Sequence, residues 1–387
     1  MYQIMKRIAI KNQMPHPSYY GPLQSFLSYI DNTEYEKRHE HSEERLREIT
    51  PKDIERWMNW RLFDCEDPAE DARPKCRANS VAFWKKALSA FMPNKLMVWN
   101  EISEVGNPTK SVLVNQIVDR VKKAEARKLG VPSQARRSAT SDEHQKTIAL
   151  VRNQGKDLIW KYGVPAQLNY QFHMIARLDD TMNTLEENIQ CHPQFNFALM
   201  TKLSWSKNVR EERDAPWQIM LGSYDSDFCV LIALAIWLEV KYQHLTYAKH
   251  SPYLFAFSDD TRFPEGGKTN KARARKIYGD KLFKENGLQG AQDGERGGGL
   301  GTHSTRKHAS THVRKQGITK DDKDQRGRWK STKRVSDRYD DIELPWVDAK
   351  VAASLCIGGP CKYKLIDKDI TESFILQHCV PKMQEGI

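Results

Sequence analysis

A chain of 387 residues is too long for one small core and suits two or three domains, with two as the natural division. Its 39% hydrophobic and 10% aromatic content, with ten tryptophans, excludes wholesale disorder. Sixty-one Lys and Arg against fifty Asp and Glu leave a formal charge of +11, which favours a polyanionic partner. The cysteines, Cys65, Cys76, Cys191, Cys229, Cys356, Cys361 and Cys379, are odd in number and scattered, as expected of a reducing compartment. The opening MYQIMKRIAIKNQ has no long apolar core of a secretory signal. The most apolar stretch, Phe228 to Val240, is too short for a membrane span and reads as a buried helix.

The first third predicts a bundle of four amphipathic helices. PSYYGPLQSFLSYI, TPKDIERWMNWRLF, SVAFWKKALSAFM and TKSVLVNQIVDRVKKAEARKLG all repeat apolar residues at i, i+3, i+4 and i+7. Thr50 before Pro51, with Asp53 and Glu55 in the first turn, marks a helix start, and Gly130 before Val131 and Pro132 marks a stop. GVPSQARRSATSDEHQ is polar and reads as a linker leading into a new helix near Asp142. The expected division is a helical domain over 1–131, a linker over 132–141 and a mixed domain over 142–387.

In that second domain TIALVRNQGKDLIWKYG and QLNYQFHMIARLDDTMNTL read as helices. FNFALMTKLSW and APWQIMLGS read as strands that pair around the charged tip SKNVREERD, and PYLFAF reads as a short strand. A Gly-rich loop is expected near 287–301. THSTRKHASTHVRKQG predicts a basic helix that Thr302 caps and Gly317 ends.

Chemistry concentrates after that loop. Between Thr302 and Arg338 stand twelve Lys or Arg against four Asp and no Glu, interleaved with His303, His308, His312 and Trp329. Such a run makes a phosphate-binding surface. His303 and Arg306 are three apart, so one face of the first turn carries both, beside the positive end of the helix. His308 and His312 share i,i+4 spacing but have no nearby carboxylate or Cys to complete a metal set, and read as phosphate-facing or solvated. In CIGGPC a buried thiol or a tight turn is favoured over a zinc site formed with His378 and Cys379.

The ordered set Arg177, Lys207, His303, Arg306, Trp329 and Tyr339 resembles the signature of tyrosine recombinases. GNPTKS with KKAEARKLGVPSQARR, GTHSTRKHAS, GRWKS and YDDIELPWVDAKVAASLCIGGPCKYKL resemble the Crypton-type recombinases of eukaryotic mobile elements, from about Asp53 to Lys364. The resemblance implies a mainly α fold with a small β-sheet: an N-terminal helical core-binding (SAM-like) domain and an α+β catalytic domain. It implies that Arg177, late in a helix, and Arg306 hold the non-bridging phosphate oxygens, with Asp180 at the acidic position beside them. Lys207, preferred to Lys202 because it is nearer the hairpin turn, is the general acid, and His303 assists proton transfer or orients the phosphate. Trp329 packs behind Tyr339, the nucleophile, and Thr302 and Lys307 flank the histidine. Tyr339 follows Trp329 by ten residues where nine is the commoner interval.

The same resemblance implies double-stranded DNA as partner, a homotetramer on DNA, a nuclear location, and religation with no cofactor. Lys122, Lys123, Arg136, Arg137, Lys330 and position 313, in the basic segment THVRK, are the further DNA contacts expected. Two readings stand beside it: a type IB topoisomerase-like relaxing enzyme, and a domesticated DNA-binding protein that no longer cuts. A metal-dependent nuclease would need a clustered carboxylate set that the sequence lacks.

Overall fold

The computed structural model describes residues 15–132, 136–155, 157–195, 197–206, 209, 212–259, 267–278, 282, 299–329 and 345–361. The chain divides into two compact units, Met1–Ser133 and Gln134–Ile387, mainly helical with a small antiparallel sheet.

The first unit contains α1 (Tyr20–Asp31), α2 (Glu43–Arg47), α3 (Pro51–Phe63), α4 (Ala78–Ser89) and α5 (Val112–Ala126). The periodic apolar positions meet in one core that includes Phe26, Leu27, Ile54, Trp57, Trp84, Leu88, Val114 and Val121. Thr50 caps α3 reciprocally with Asp53: Thr50 Oγ1 accepts from Asp53 N at 3.2 Å, and the Asp53 carboxylate accepts from Thr50 N at 2.9 Å. The stop expected at Gly130 falls earlier. Lys128 takes the left-handed conformation at φ +59, and Leu129 N closes on Ala124 O at 2.9 Å. The GNPTKS segment is a structural clasp, in which buried Asn107 donates to Ser89 Oγ at 2.9 Å and accepts from Thr109 Oγ1 at 2.7 Å.

The second unit is built around a helix buried on all sides. α6 (Ser141–Gln154) is followed by a π-turn, Ile159–Gly163, that runs into α7 (Val164–His173), every residue of which is buried. Its polar side chains have partners: Gln167 donates to Thr181 Oγ1 at 2.7 Å, Asn169 to Asp227 O at 2.9 Å and Gln171 to Thr302 O at 2.8 Å. Then follow α8 (Leu178–Thr181), α9 (Val230–His244), α10 (Gly267–Lys276), α11 (Ser304–Lys315), α12 (Lys320–Arg326) and α13 (Pro345–Ser354). β1 (Ile189–Cys191), β2 (Leu199–Thr201) and β3 (Gln218–Met220) form one antiparallel sheet in that order, and β4 (Gly222–Ser223) pairs with β5 (Pro360–Cys361). The expected hairpin is present, with Leu199 opposite Met220. α9 is the expected buried helix, and among the described residues no helix is long and apolar enough to cross a membrane.

Several local expectations fail for physical reasons. QLNYQFHMIARLDDTMNTL is broken: α7 stops at His173, Ile175 turns into the left-handed region at φ +43, and α8 restarts. Arg177 therefore stands at the N-cap of α8, not late in a helix. In PYLFAF only Tyr253 bridges, to Leu185. Side chains hold the backbone that follows: Asn270 accepts from Phe257 N at 2.8 Å and donates to Phe255 O at 2.7 Å, and Trp237 donates to Leu254 O at 2.8 Å. Thr302 does not cap α11. His303 holds the N-cap position, and Ser304 Oγ accepts from Gly301 N at 3.0 Å. Gly317, at φ +81, ends the helix as expected.

His308 and His312 face inward, not toward phosphate or solvent. His308 lies 4.9 Å from the Phe172 ring and 3.2 Å from Ser141 Oγ, and His312 lies 3.0 Å from Ser354 O. Position 313 is likewise interior and is no DNA contact. It is Val313, fully buried one turn beyond Ala309 on the inner face of α11, in a core with Phe172, Ile175 and Ile318. The arginine of THVRK is the next residue, Arg314. Cys356 is buried, and burial pushes its thiol up to about 12; Gly358 and Gly359, both at positive φ, make the tight turn beyond it. No described group of three or more His, Cys, Asp or Glu is placed to hold a metal.

Burial pushes His144 down to about 4, and His173 and His308 to about 3. An unfolded histidine titrates near ~6.5. Below that pH the unfolded chain binds protons that the folded chain refuses, so stability falls as pH drops from about 6.5 toward the folded values. Urea unfolding should show a lower midpoint at pH 5.5 than at pH 7.5, each histidine costing up to about 1.4 kcal/mol per pH unit. His308→Gln should flatten the dependence, and equal midpoints at the two pH values would contradict this account of the core.

Candidate functional site

Two segments far apart in the chain bring guanidinium groups to one carboxylate. Arg177, at the start of α8, donates its backbone N–H to Asp180 Oδ2 at 3.1 Å, which fixes the acid beside it. Arg306 comes from the first turns of α11. Asp180 Oδ2 lies 3.8 Å from Arg177 Nη1 and 3.6 Å from Arg306 Nη1. Both separations are too long for a hydrogen bond. Each Nη1 is shielded from solvent and has no hydrogen-bond partner among the described residues. Asp180 is 3% exposed and Arg306 6%. A buried guanidinium edge that makes no hydrogen bond is costly, and here the Asp180 carboxylate meets both edges by charge alone.

The turn after α12 holds Arg306. Arg306 Nη2 donates to Gly327 O at 2.7 Å, and its guanidinium centre lies 4.5 Å from the centre of the Trp329 ring. Lys323 Nζ lies 4.8 Å from the same ring. Gly327 lets the Trp329 indole lie directly on the backbone: a Cβ there would stand 2.1 Å from the ring and would displace it.

Positive charge exceeds negative here. Arg177, Arg306 and Arg328 surround Asp180, whereas neighbouring Arg326 has its own carboxylate, Asp348, at 2.6 and 2.7 Å. Burial, then the Arg328 and Arg177 charges, push Arg306 down to about 9 against the opposing pull of Asp180. Burial pushes Arg328 down to about 10, with Asp180 the largest opposing influence. His303, exposed at the amino end of α11, is held below the usual imidazole range by partial desolvation and then by the Arg177 and Arg306 charges. A neutral imidazole at neutral pH can accept a proton.

Of the residues singled out in the sequence, the structure thus brings together Arg177, Asp180, Arg306 and Trp329, with His303 within their field. Thr302 contributes its carbonyl to Gln171, and Lys307 Nζ donates to Arg136 O. The Arg136 side chain packs against Gly301. Arg137 is in an ion pair with Glu143, which accepts from its Nη1 at 2.8 Å. Val313 presents no charge to a ligand, and Arg314 beside it donates to Ile318 O, closing the end of its own helix. Lys122, which pairs with Asp119 at 2.9 Å, and Lys123 are exposed on the other unit. Lys202 pairs with Glu212 at 3.1 Å. Lys207, Lys330 and Tyr339 lie outside the described residues.

Sequence reasoning missed Arg326 and Arg328. Both are buried, at 1% and 6% exposure, in a run read as a basic surface. Their one visible signal is their position on either side of a glycine, in RGRW, where a close approach is to be expected. No family model matches the chain, and no curated protein matches it.

An unmet pair of guanidinium edges should take up inorganic phosphate. Millimolar phosphate should raise the thermal midpoint of the wild type above that in chloride of equal ionic strength, by about 2.7 kcal/mol of stability at a hundredfold excess over Kd. Arg306→Gln should lose this gain, and equal gains in the two proteins would show that phosphate does not bind here.

Proposed function

We propose that this chain breaks and rejoins DNA as a tyrosine recombinase, with Arg177 and Arg306 holding the scissile phosphate and Tyr339 as the nucleophile. The supporting observation is the convergence of two shielded guanidinium edges on one spot with no hydrogen bond made by either. Arginine suits the role because its planar fork meets two oxygens and stays charged. Phosphoryl transfer adds negative charge to those oxygens at the transition state, where preplaced guanidiniums act most strongly.

On this reading the Tyr339 oxygen attacks phosphorus and its proton passes to His303. The bond to the 5′ oxygen breaks, Lys207 supplies the proton that the leaving alkoxide takes up, and a 3′-phosphotyrosyl ester remains. A 5′ hydroxyl from another strand reverses each step, so the ester carries the bond energy forward and ATP has no role. The partner is duplex DNA, four copies act together on it in the nucleus, and the outcome is integration or excision of a mobile element. The overall positive charge supports a DNA partner.

A nicked suicide duplex should trap a covalent adduct that survives denaturation. Mass spectrometry should locate it on Tyr339, and Tyr339→Phe should form none. Arg306→Gln should slow its formation by at least ~10²-fold. Tight DNA binding by the wild type without any adduct would support a binding protein that does not cut, and an adduct retained in Tyr339→Phe would refute the assignment of the nucleophile.

A further inference from the structure

Arg177 follows a strained turn. α7 ends at His173, and Ile175, a β-branched residue, is held at φ +43, where such side chains are rarely found. A turn of this kind persists only where its surroundings fix it. Two buried guanidiniums from far along the chain do so. Arg326 Nε and Nη2 donate to His173 O at 3.2 and 3.0 Å, and Arg328 Nη2 donates to Met174 O at 3.1 Å. These carbonyls are the outermost acceptors at the negative end of α7, where a cation is favoured.

The turn that supplies the two arginines is itself braced. Arg326 reaches Asp348 on α13 and Ile219 O on β3, the latter at 2.6 Å, and Gln218 Nε2 donates to Arg326 O at 2.9 Å. Arg328 is at φ +53, which directs its side chain back to Gln218 Oε1 and Arg326 O. From this same turn Gly327 O and the Trp329 ring hold Arg306. One segment therefore fixes both arginines beside Asp180, Arg177 through the carbonyls before it and Arg306 directly.

We propose that Arg326 and Arg328 are positioning residues that aim Arg177 and Arg306 at one point, so that their loss spoils the grip on a single phosphate before it spoils the affinity for duplex DNA. The rate part of this proposal rests on the recombinase reading above; the phosphate part does not.

The test compares Arg328→Lys and Arg328→Met with the wild type in the full chain, with Arg326→Met as a harsher variant that puts folding itself at risk. Lysine keeps the charge and loses the fork. Displacing a reacting group by ~1 Å costs on the order of 10²-fold in rate. Arg328→Lys should therefore slow adduct formation ten- to a hundredfold while the dissociation constant for duplex DNA changes less than about threefold and the thermal midpoint stays near that of the wild type. It should also reduce the midpoint shift given by inorganic phosphate. Wild-type rates in both Arg328 variants would overturn the proposal, and so would a fall in rate, affinity and midpoint together, which marks a merely structural role. If the wild type forms no adduct, the recombinase reading fails and the phosphate shift alone decides: a folded Arg328→Lys that keeps the full shift overturns the proposal, and one that loses it supports it.

Discussion

Arg326 lies wholly inside the second unit, and its guanidinium joins pieces of chain that are far apart in sequence: the end of α7, the strand β3 and the helix α13. Burying a guanidinium is costly, and the cost is offset only when geometry and hydrogen bonding are close to complete. Here Asp348 meets Nη1 with both oxygens, and backbone carbonyls take up the other nitrogens. Removing one member of such a set typically costs about 3–5 kcal/mol, because the other is left charged and buried. The same guanidinium, with that of Arg328, bonds the carbonyls of the turn in which a β-branched residue holds a left-handed conformation, a strain of about 1–3 kcal/mol, immediately before Arg177.

Arg177 and Arg306 are held in the opposite way. Arg326 is satisfied by the fold, whereas these two have nitrogen edges turned toward a single carboxylate that stays just out of hydrogen-bond range of both. Asp180 lowers the repulsion between the two arginines enough to keep them together, but one carboxylate does not balance three guanidiniums. Burial first, and then that imbalance, depress Arg306, and a phosphate diester arriving with its own charge would relieve the second of these. Partial desolvation, and then the same field, drive the His303 imidazole toward the neutral form, so it does not add to the imbalance.

The legible parts of this sequence are those where one face of an element meets water. α3, α4 and α5 show their cores through periodic apolar residues, and the β2–β3 hairpin shows itself through two apolar runs around a charged tip. α7 has no wet face, so no apolar periodicity marks its glutamines, asparagine and histidine as the interior groups with partners that they are. Its end is invisible in the sequence because propensity rules place glycine or asparagine in a left-handed turn, and isoleucine stands there instead. His308, His312 and Arg326 mislead for a related reason: charge and polarity along a basic run do not say which side chains turn inward. The order of residue types singled out Arg177, Asp180, Arg306 and Trp329, and the fold brings those together. It had no means of showing that the short RGRW segment holds them there.

The central claim is that one anion occupies the space before Arg177 and Arg306 at once. The direct measurement is the anomalous scattering of tungstate, a heavy tetrahedral stand-in for phosphate, soaked into crystals of the full chain. The account predicts one strong peak with oxygens within about 3 Å of Nη1 of both arginines, the range of charge-assisted hydrogen bonds. Tungstate bound to only one of them, or found only elsewhere on the basic surface, would contradict it.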